Sequence, residues 1–320
     1  MESMFKNRII KNYNFLKKWA KRENITAYRV YDKDIPQYPF AVDLYSKSVV
    51  LYQYERSQNQ KDMPEEFEMA DKLQLDEVIL TLKNVFCVEE NNIYLKVRKK
   101  QKGISQYERQ TEQGITEIIH EGDMKFIVNL SDYLDCGIFL DHRKTRQIVK
   151  KNAHNTHFLN LFAYTGSVSI AAAMGNAKSI TTVDMSNTYL NWAKENFKLN
   201  NIPVDDHDFL RENIMEWLPK ASIKAKKYDF IFVDPPSFSN SKKMQDSFDV
   251  QKDYVEILKH CERMLTPNGK IIFSCNLRSF KFDNELFSNN FKIENITKKT
   301  LPQDFRNEKI HYAWFLTKMN

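Results

Sequence analysis

The sequence predicts an α/β fold in which a mostly parallel sheet, covered by helices, follows a smaller α+β domain. From about Ser131 onward, helical stretches alternate with the apolar stretches "HFLNLFA", "SITTVDM", "YDFIFVD" and "KIIFSC". Such almost uninterrupted apolar runs are typical of strands buried on both faces, as in parallel sheets. Two later stretches, "FKIENITK" and "YAWFLTK", have no long helix between them. We therefore expect them to form an antiparallel pair at the sheet edge.

The helices of this second domain, residues 131–320, are expected between its strands, at residues 167–174, 186–199 and 247–265. Residues 1–130 are predicted to form the smaller domain. Apolar side chains recur at steps of three or four from Phe5 to Trp19, which predicts an amphipathic helix with lysines on its other face. Short, antiparallel-looking strand patterns follow, interrupted by a polar helix from about Pro64 to Val85.

The composition indicates a globular protein rather than a membrane protein. Of 320 residues, 42% are apolar and 28% are charged, and no apolar stretch approaches the roughly 20 residues of a membrane helix. The first residues lack the apolar core of a signal peptide. We expect a cytoplasmic protein with no membrane partner.

The cysteines and histidines do not form a metal-binding pattern. The four cysteines contain no CxxC pair, which argues against a zinc site and a disulfide framework. The seven histidines form no HxH or HxxxH pair, so we expect no bound metal and assign them no catalytic role. The net charge is +6, and basic residues crowd the first helix and the run "KVRKKQK". Two basic runs in one half of the chain favour a nucleic-acid partner.

Small and acidic residues at the ends of the predicted strands indicate a nucleoside-binding site. Gly166 follows the first strand, Asp184 ends the second, Asn213 follows a shorter strand, and Asp234 ends the next. Open α/β sheets bind ligands at these strand ends. The chain has only seven glycines and neither GxGxxG nor GxxxxGK[ST], which argues against dinucleotides and against a P-loop. One glycine and a ribose-binding acid suit a nucleoside without phosphates, and S-adenosylmethionine (AdoMet) is the commonest such cofactor.

These motifs resemble a known family. "NLFAYTG", "VDMS" and "VDPPSFSNSKKM" are similar to class I AdoMet-dependent methyltransferases, and among them to ribosomal RNA methyltransferases of the RlmI and RlmK type. "LDCGIFLDHR", "DSFDVQKDY" and "LPQDFRNEKIHYAWFL" extend the resemblance to nearly the whole K half of the bifunctional RlmKL enzymes. The resemblance implies a Rossmann-like sheet of seven strands with an antiparallel last strand. It also implies formation of 7-methylguanosine in large-subunit (23S) ribosomal RNA.

The resemblance also assigns a cofactor site. The residues matched to the methionine end of AdoMet are Asn160, Phe162, Tyr164, Thr165 and Gly166. Asp184 is matched to the ribose, Met185 to the adenine, and Asn213 to the position where relatives usually carry an Asp for the adenine amino group. Asp141 and Arg143 are expected to border the cofactor. The L half, with its RNA-binding THUMP module, is not in this chain. We therefore expect either a stand-alone K-type enzyme, with a separate L-type methyltransferase as a partner, or the C-terminal part of a longer protein.

The chemistry of guanine N7 gives the stretch that begins at Asp234 a role. N7 carries an in-plane lone pair and no proton, so its methylation needs positioning and charge compensation rather than a base. We expect Asp234 and the carbonyls of Pro235 and Pro236 to orient the base edge, and Phe238 to stack on the base. The lysines expected to contact RNA phosphates are Lys17, Lys18, Lys99, Lys100, Lys242 and Lys243.

Two alternatives stay open at this stage. Methylation of cytosine C5 needs a thiolate nucleophile, and Cys275 ends a predicted strand where the RlmI branch carries one. A buried cysteine that serves only as a small hydrophobic residue is the commoner state. The other alternative is a non-catalytic ribosome-assembly factor that binds RNA through the basic N-terminal half.

Overall fold

The computed structural model describes residues 3–54, 65–98, 111–224, 226–239 and 247–319. The chain divides into two compact units, Met1–Asp123 with Val128–Cys136, and Met124–Ile127 with Gly137–Asn320. The boundary predicted between residues 130 and 131 lies within the stretch where the chain changes units. In the described parts of the chain, no helix is both long enough and apolar enough to cross a membrane.

The first unit is built on a four-stranded sheet. Its elements, in chain order, are α1 (Met4–Arg22), β1 (Ala27–Asp32), β2 (Phe40–Tyr45), β3 (Ser48–Tyr54), α2 (Glu65–Phe86), β4 (Ile93–Arg98) and β5 (Thr116–Glu121). The sheet order is β1-β2-β3-β4. β1, β2 and β3 are antiparallel neighbours, as expected, but β4 is parallel to β3. The expectation of an antiparallel strand was wrong for β4. Helix α2 forms a crossover connection between β3 and β4, and such a connection allows the two strands to be parallel neighbours.

Helix α1 is amphipathic, as its spacing predicts. Phe5, Ile9, Leu16 and Trp19 are buried in the core of the first unit. Ser3 caps the helix by accepting a hydrogen bond from the N–H of Lys6. Lys17 and Lys18 lie on the exposed face. The burial of one apolar face therefore leaves a basic face in solvent.

The second unit is a seven-stranded sheet with helices. After β6 (Met124–Asn129), within which the units divide, its elements are α3 (Arg143–Asn152), β7 (His157–Leu161), α4 (Ser167–Met174), β8 (Ser179–Asp184), α5 (Asn187–Leu199), β9 (Asp208–Arg211), α6 (Ile214–Ser222), β10 (Tyr228–Val233), β11 (Phe238–Ser239), β12 (Phe248–Asp249), α7 (Val250–Met264), β13 (Leu265–Cys275), β14 (Phe291–Asn295), α8 (Thr297–Thr300) and β15 (Tyr312–Lys318).

The topology of this sheet confirms the predicted fold class. The strand order is β14-β15-β13-β10-β7-β8-β9. β7, β8, β9, β10 and β13 are parallel, whereas β15 is antiparallel to both β13 and β14. The strands have apolar side chains buried on both faces; in β10, for example, Ile231 is buried on one face, and Phe230 and Phe232 are buried on the other. The predicted helices correspond to α4, α5 and α7, whereas periodicity did not predict α3 or α6.

Candidate functional site

The predicted ligand-binding residues lie where the parallel strands end. β7 is flanked by β8 on one side and β10 on the other, so the chain builds the sheet outward from β7 in both directions. A crevice forms at the carboxyl ends of strands where the order reverses in this way. Asp184 is the last residue of β8, and Asp234 directly follows β10. The topology therefore brings the predicted residues to one edge of the sheet.

The loop between β7 and α4 has an unusual backbone. Phe162, Tyr164 and Gly166 adopt positive φ angles of 56°, 51° and 72°. A positive φ is sterically unfavourable for residues with a side chain, and such strain concentrates at functional sites. Gly166 caps α4, and a Cβ added to it would lie 2.7 Å from the Cβ of Ala193 in α5. Only glycine fits this close helix contact without displacing a neighbour.

Two of the predicted methionine-end residues direct their side chains into the protein. Asn160 is buried, and its Nδ2 donates to Ser169 Oγ at 2.9 Å. The Thr165 hydroxyl, also buried, donates to the carbonyl of Gly137. Any contact that Thr165 makes with a cofactor must therefore come from its backbone. Their roles at the methionine end stay predictions, as do those of the other loop residues.

The aromatic side chains of the loop pack against neighbouring rings. The Tyr164 ring lies 4.6 Å from that of Tyr189 and 5.3 Å from that of Phe139, measured between centroids. The Phe162 ring lies 5.9 Å from that of Phe248 in β12. These contacts fix the course of the strained loop.

Asp184 is held by backbone donors. Its Oδ2 accepts a hydrogen bond from the N–H of Tyr164 and its Oδ1 accepts one from the N–H of Ser186, each at 2.8 Å. Burial nevertheless raises the pKa of Asp184 to about 6, although these backbone hydrogen bonds oppose the increase. The backbone hydrogen bonds thus fix the orientation of the Asp184 carboxylate, whereas burial leaves it poorly solvated. Each oxygen has a further lone pair, which suits the two hydroxyl donors of a ribose.

The residues matched to the adenine lie further along this edge of the sheet. Met185 follows Asp184 and is 37% exposed, so its side chain is available to a ligand. Asn213 is the N-cap of α6, and its Oδ1 accepts from the N–H of Met215 at 3.2 Å. Its Nδ2 donates to Glu216 Oε1 at 2.6 Å. An adenine amino group would have to share the Asn213 oxygen with this cap.

The stretch from Asp234 to Phe238 forms a corner after β10. Pro235 is buried, whereas Phe238 is 55% exposed. The backbone of Phe238 pairs with Asp249 between the short strands β11 and β12, which holds the residue in place. The Ser237 hydroxyl donates to Asn276 Oδ1 at 2.6 Å. An aromatic ring exposed on a fixed backbone is available for stacking, and Phe238 is not a core residue. Lys242 and Lys243, like Lys99 and Lys100, lie outside the described residues.

A buried cluster that the sequence did not reveal lies behind this corner. His142 Nδ1 lies 3.7 Å from Asp234 Oδ2, and His142 Nε2 lies 3.4 Å from Ser274 Oγ. Asp141 Oδ2 accepts from His311 Nδ1 at 2.8 Å, across 170 residues of sequence. Nothing in the histidine spacing indicates this contact. The only sequence signal was that His142 stands between Asp141 and Arg143 in the motif "FLDHR".

The predicted cofactor-bordering residues of that motif take part in internal contacts. Arg143 is buried and forms an ion pair with the buried Asp304, with 2.6 Å between Nη1 and Oδ1. Possible ligand atoms of Asp141, His142 and His311 lie within 4.8 Å of one another. His311, however, already uses both ring nitrogens, one with Asp141 and one with Thr300. A metal ion would have to break these hydrogen bonds.

The environment of Cys275 does not favour a nucleophile. The residue is buried, and its Sγ accepts from the N–H of Leu277 at 3.4 Å. Burial raises the pKa of the Cys275 thiol to about 12, and the carboxylate of Asp234 contributes to the increase. A thiolate would therefore be scarce at neutral pH.

The chain matches known methyltransferases. A family model described as S-adenosylmethionine-dependent methyltransferase matches residues 59–299. The ribosomal RNA large subunit methyltransferase K/L of Shewanella woodyi is 48% identical over 315 residues, which are 98% of this chain and 43% of the relative. Its namesake from Pseudoalteromonas atlantica is 49% identical over 98% of this chain and 44% of the relative. The chain thus spans less than half the length of these curated relatives.

The similarity extends to solved structures. SMU.776, described as a candidate methyltransferase complexed with SAH, aligns with a TM-score of 0.72 at 23% identity, over 99% of this chain and 83% of that one. This alignment supports the Rossmann-like fold. The chain belongs to the family of S-adenosylmethionine-dependent methyltransferases. AdoMet is therefore its cofactor, as the glycine and acid at the strand ends predicted.

Proposed function

We propose that this chain methylates N7 of a guanine in large-subunit ribosomal RNA. The observation that carries the proposal is the identity of 46% to 49%, over 98% of the chain, to relatives named ribosomal RNA large subunit methyltransferase K/L. The geometry of the site supports it, because an exposed aromatic ring follows a carboxylate at the carboxyl edge of the sheet. Such a substrate makes the cytoplasm the expected location.

The cofactor residues fit a nucleoside. The carboxylate of Asp184 would accept hydrogen bonds from the ribose hydroxyls, with Met185 beside the base and the β7–α4 loop at the methionine end. When bound, AdoMet supplies an electrophilic methyl group on a sulfonium. The role of the chain is to hold the acceptor in line with that group, and such positioning contributes on the order of 7–11 kcal/mol.

The corner would receive the acceptor base. In A-form RNA, N7 faces a deep and narrow groove that side chains cannot read, so the guanine must be unpaired or flipped. Phe238 would stack on the base, a contact that contributes about 1–3 kcal/mol. Asp234 would offset the positive charge that develops on the base, and the carbonyls of Pro235 and Pro236 would orient its edge. No general base is required, because N7 carries no proton to remove.

RNA contacts away from the base would come from the basic face of α1. Lys17 and Lys18 are exposed there, and the proposal assigns them to phosphates. Lys99, Lys100, Lys242 and Lys243 are proposed for the same purpose from the sequence alone. The relatives are more than twice as long as this chain, so we include an L-type methyltransferase, fused or separate, among the proposed partners.

The decisive experiment identifies the product. Ribosomal RNA from cells lacking the gene is incubated with the protein and AdoMet, and its nucleosides are measured by mass spectrometry. We expect 7-methylguanosine in the large-subunit RNA. The appearance of 5-methylcytosine would support the Cys275 alternative instead. If calorimetry detects no binding of AdoMet, the assembly-factor alternative is favoured.

Two substitutions test the corner. Asp234→Ala is expected to abolish methyl transfer, because the charge that faces the base is lost. Phe238→Ala is expected to slow it about 5- to 150-fold, which corresponds to the stacking contribution. AdoMet affinity, measured by calorimetry, should change less than about threefold in both variants, since neither residue is assigned to the cofactor.

An exposed carboxylate and an exposed apolar side chain provide the controls. Asp205→Ala removes an exposed carboxylate, and Leu286→Ala removes a side chain that is 53% exposed, close to the exposure of Phe238. Both controls should retain full activity. Wild-type turnover of Asp234→Ala or of Phe238→Ala would contradict the role of the residue concerned.

A further inference from the structure

The two carboxylates at the carboxyl edge of the sheet are held differently. Asp184 accepts hydrogen bonds from the backbone N–H groups of Tyr164 and Ser186. Asp234 is followed by Pro235 and Pro236, which have no N–H to donate. An aspartate often accepts a hydrogen bond from the backbone N–H two residues on, as Asp184 does from Ser186, and Pro236 removes that possibility for Asp234. Among the described residues, the contact made by the Asp234 carboxylate is with a side chain.

His142 is placed to orient the Asp234 carboxylate. His142 Nδ1 lies 3.7 Å from Asp234 Oδ2. Its ring is fixed edge-on by Phe232, at 6.3 Å and 90° between ring planes, and by His311, at 4.9 Å and 78°. The ring therefore cannot turn away without repacking buried neighbours.

We propose that His142 is a positioning residue whose Nδ1–H donates to the carboxylate of Asp234 when the acceptor base is bound. The separation of 3.7 Å exceeds a hydrogen-bond length, and catalytic hydrogen bonds commonly shorten only in the substrate complex. The inference rests on the proposed function insofar as Asp234 faces the methyl acceptor.

The proposal requires the tautomer of His142 that carries its proton on Nδ1, and the contact with Ser274 is compatible with it. Nε2 faces the buried hydroxyl of Ser274 at 3.4 Å, which can donate to it. A neutral imidazole then carries its proton on Nδ1, toward Asp234. Asp141, 3.8 Å from Nε2, already accepts from His311. Among the described residues, the Asp234 carboxylate makes no hydrogen bond, so it can accept one from Nδ1–H.

The ring also has to stay neutral for this role. Burial lowers the pKa of His142; Asp234 and Asp141 oppose that effect, and His311 and Arg146 reinforce it. An uncharged donor orients Asp234 without cancelling its negative charge. The full charge therefore remains available to the base as the base becomes positive.

Three substitutions separate positioning from packing. His142→Leu removes the donor, His142→Asn keeps an amide N–H near the position of Nδ1, and His142→Gln places its amide near Nε2 instead. The assay counts total methyl transfer from labelled AdoMet to large-subunit RNA in single turnovers, whichever base is modified. We expect His142→Leu to be slowed about 10- to 100-fold, the loss of one hydrogen bond to a charged group. His142→Asn should recover most of that loss, and His142→Gln should not.

AdoMet affinity and melting temperature are measured for each variant. The affinity should change less than about twofold, and a merely structural role would make His142→Asn as slow as His142→Leu. That equality, or full activity of His142→Leu, overturns the proposal. A methylated base other than guanine would refute the proposed function. The rates of the His142 variants could still be compared, because the assay counts total methyl transfer.

NMR spectroscopy can test the role of His142 even if the protein shows no methyl transfer in the assay. In ¹⁵N NMR of the histidine rings, His142 should appear as the neutral Nδ1–H tautomer, and its Nδ1 signal should shift in Asp234→Asn. If the wild-type protein transfers no methyl group, this measurement decides alone. An Nε2–H tautomer, or a charged ring at neutral pH, overturns the proposal.

Discussion

The affinity of the protein for AdoMet should depend on pH through Asp184. Burial raises the pKa of this carboxyl to about 6 in the protein without ligand. The residue is then mostly ionised at pH 7.5 and mostly protonated at pH 5. Ribose hydroxyls donate to the carboxylate more strongly than to the neutral acid. AdoMet should therefore bind more weakly as the pH falls through 6.

The magnitude of this weakening follows from the pKa of Asp184. If only the ionised form binds, the dissociation constant increases by the factor 1 + 10^(pKa − pH), which is about 11 at pH 5 and close to 1 at pH 7.5. The expected weakening is thus about tenfold between the two conditions. Binding should also release a fraction of a proton near pH 5.5, because the ligand favours the ionised carboxyl.

Isothermal titration calorimetry at pH 5, 6 and 7.5 measures both quantities, when each titration is repeated in buffers of different ionisation enthalpy. Asp184→Asn is the matched control, since it cannot ionise. We expect it to bind AdoMet more weakly at pH 7.5 and to lose most of the pH dependence. Equal dissociation constants at pH 5 and pH 7.5, or the same slope in wild type and Asp184→Asn, would refute the assignment of Asp184 to the ribose.

Two further substitutions test the loop and the rival chemistry. Gly166→Ala is expected to cost about 2–4 kcal/mol of unfolding free energy, because it adds the overlap with Ala193 to the strain of a positive φ. Gly122→Ala, with a φ of 64° and no atom within 4 Å of the added Cβ, measures the strain alone; equal losses in denaturant unfolding would rule out the overlap. Cys275→Ser should leave methyl transfer within about twofold of wild type in the single-turnover assay, and an inactive variant would favour cytosine chemistry instead.

The strand ends could be predicted from the sequence because their signals are local. A buried strand is a short apolar run, and the residue that ends it is polar or small, as at Asp184, Asp234 and Gly166. The parallel arrangement of these strands could be predicted from the same apolar runs. The orientation of β4 was not predicted, because its pairing depends on a crossover through α2 rather than on its own residues. Short strand patterns do not specify the direction of their neighbours.

The buried cluster behind the corner lay beyond local signals. The partners in the Asp141–His311 pair are separated by 170 residues, and those in the Arg143–Asp304 pair by 161. Spacing rules for histidines detect ligands on one helix or strand, not side chains from different elements. The sequence likewise did not determine whether Phe238 is exposed, since an aromatic residue after a strand can pack in the core or face solvent.

The carboxylates of Asp184 and Asp234 are held by different groups, so substitutions around them should affect different properties, namely AdoMet affinity and the rate of methyl transfer. Backbone N–H groups hold Asp184, so substitution of surrounding side chains leaves its orientation intact, and cofactor affinity should respond mainly to Asp184 itself. The two prolines that follow Asp234 cannot donate to its carboxylate, and we propose that His142 orients it instead. A loss at His142 should therefore appear in the rate of methyl transfer and not in AdoMet affinity, whereas a loss at Asp184 should appear in affinity first. A variant of His142 that weakened AdoMet binding without slowing transfer at saturation would contradict this division.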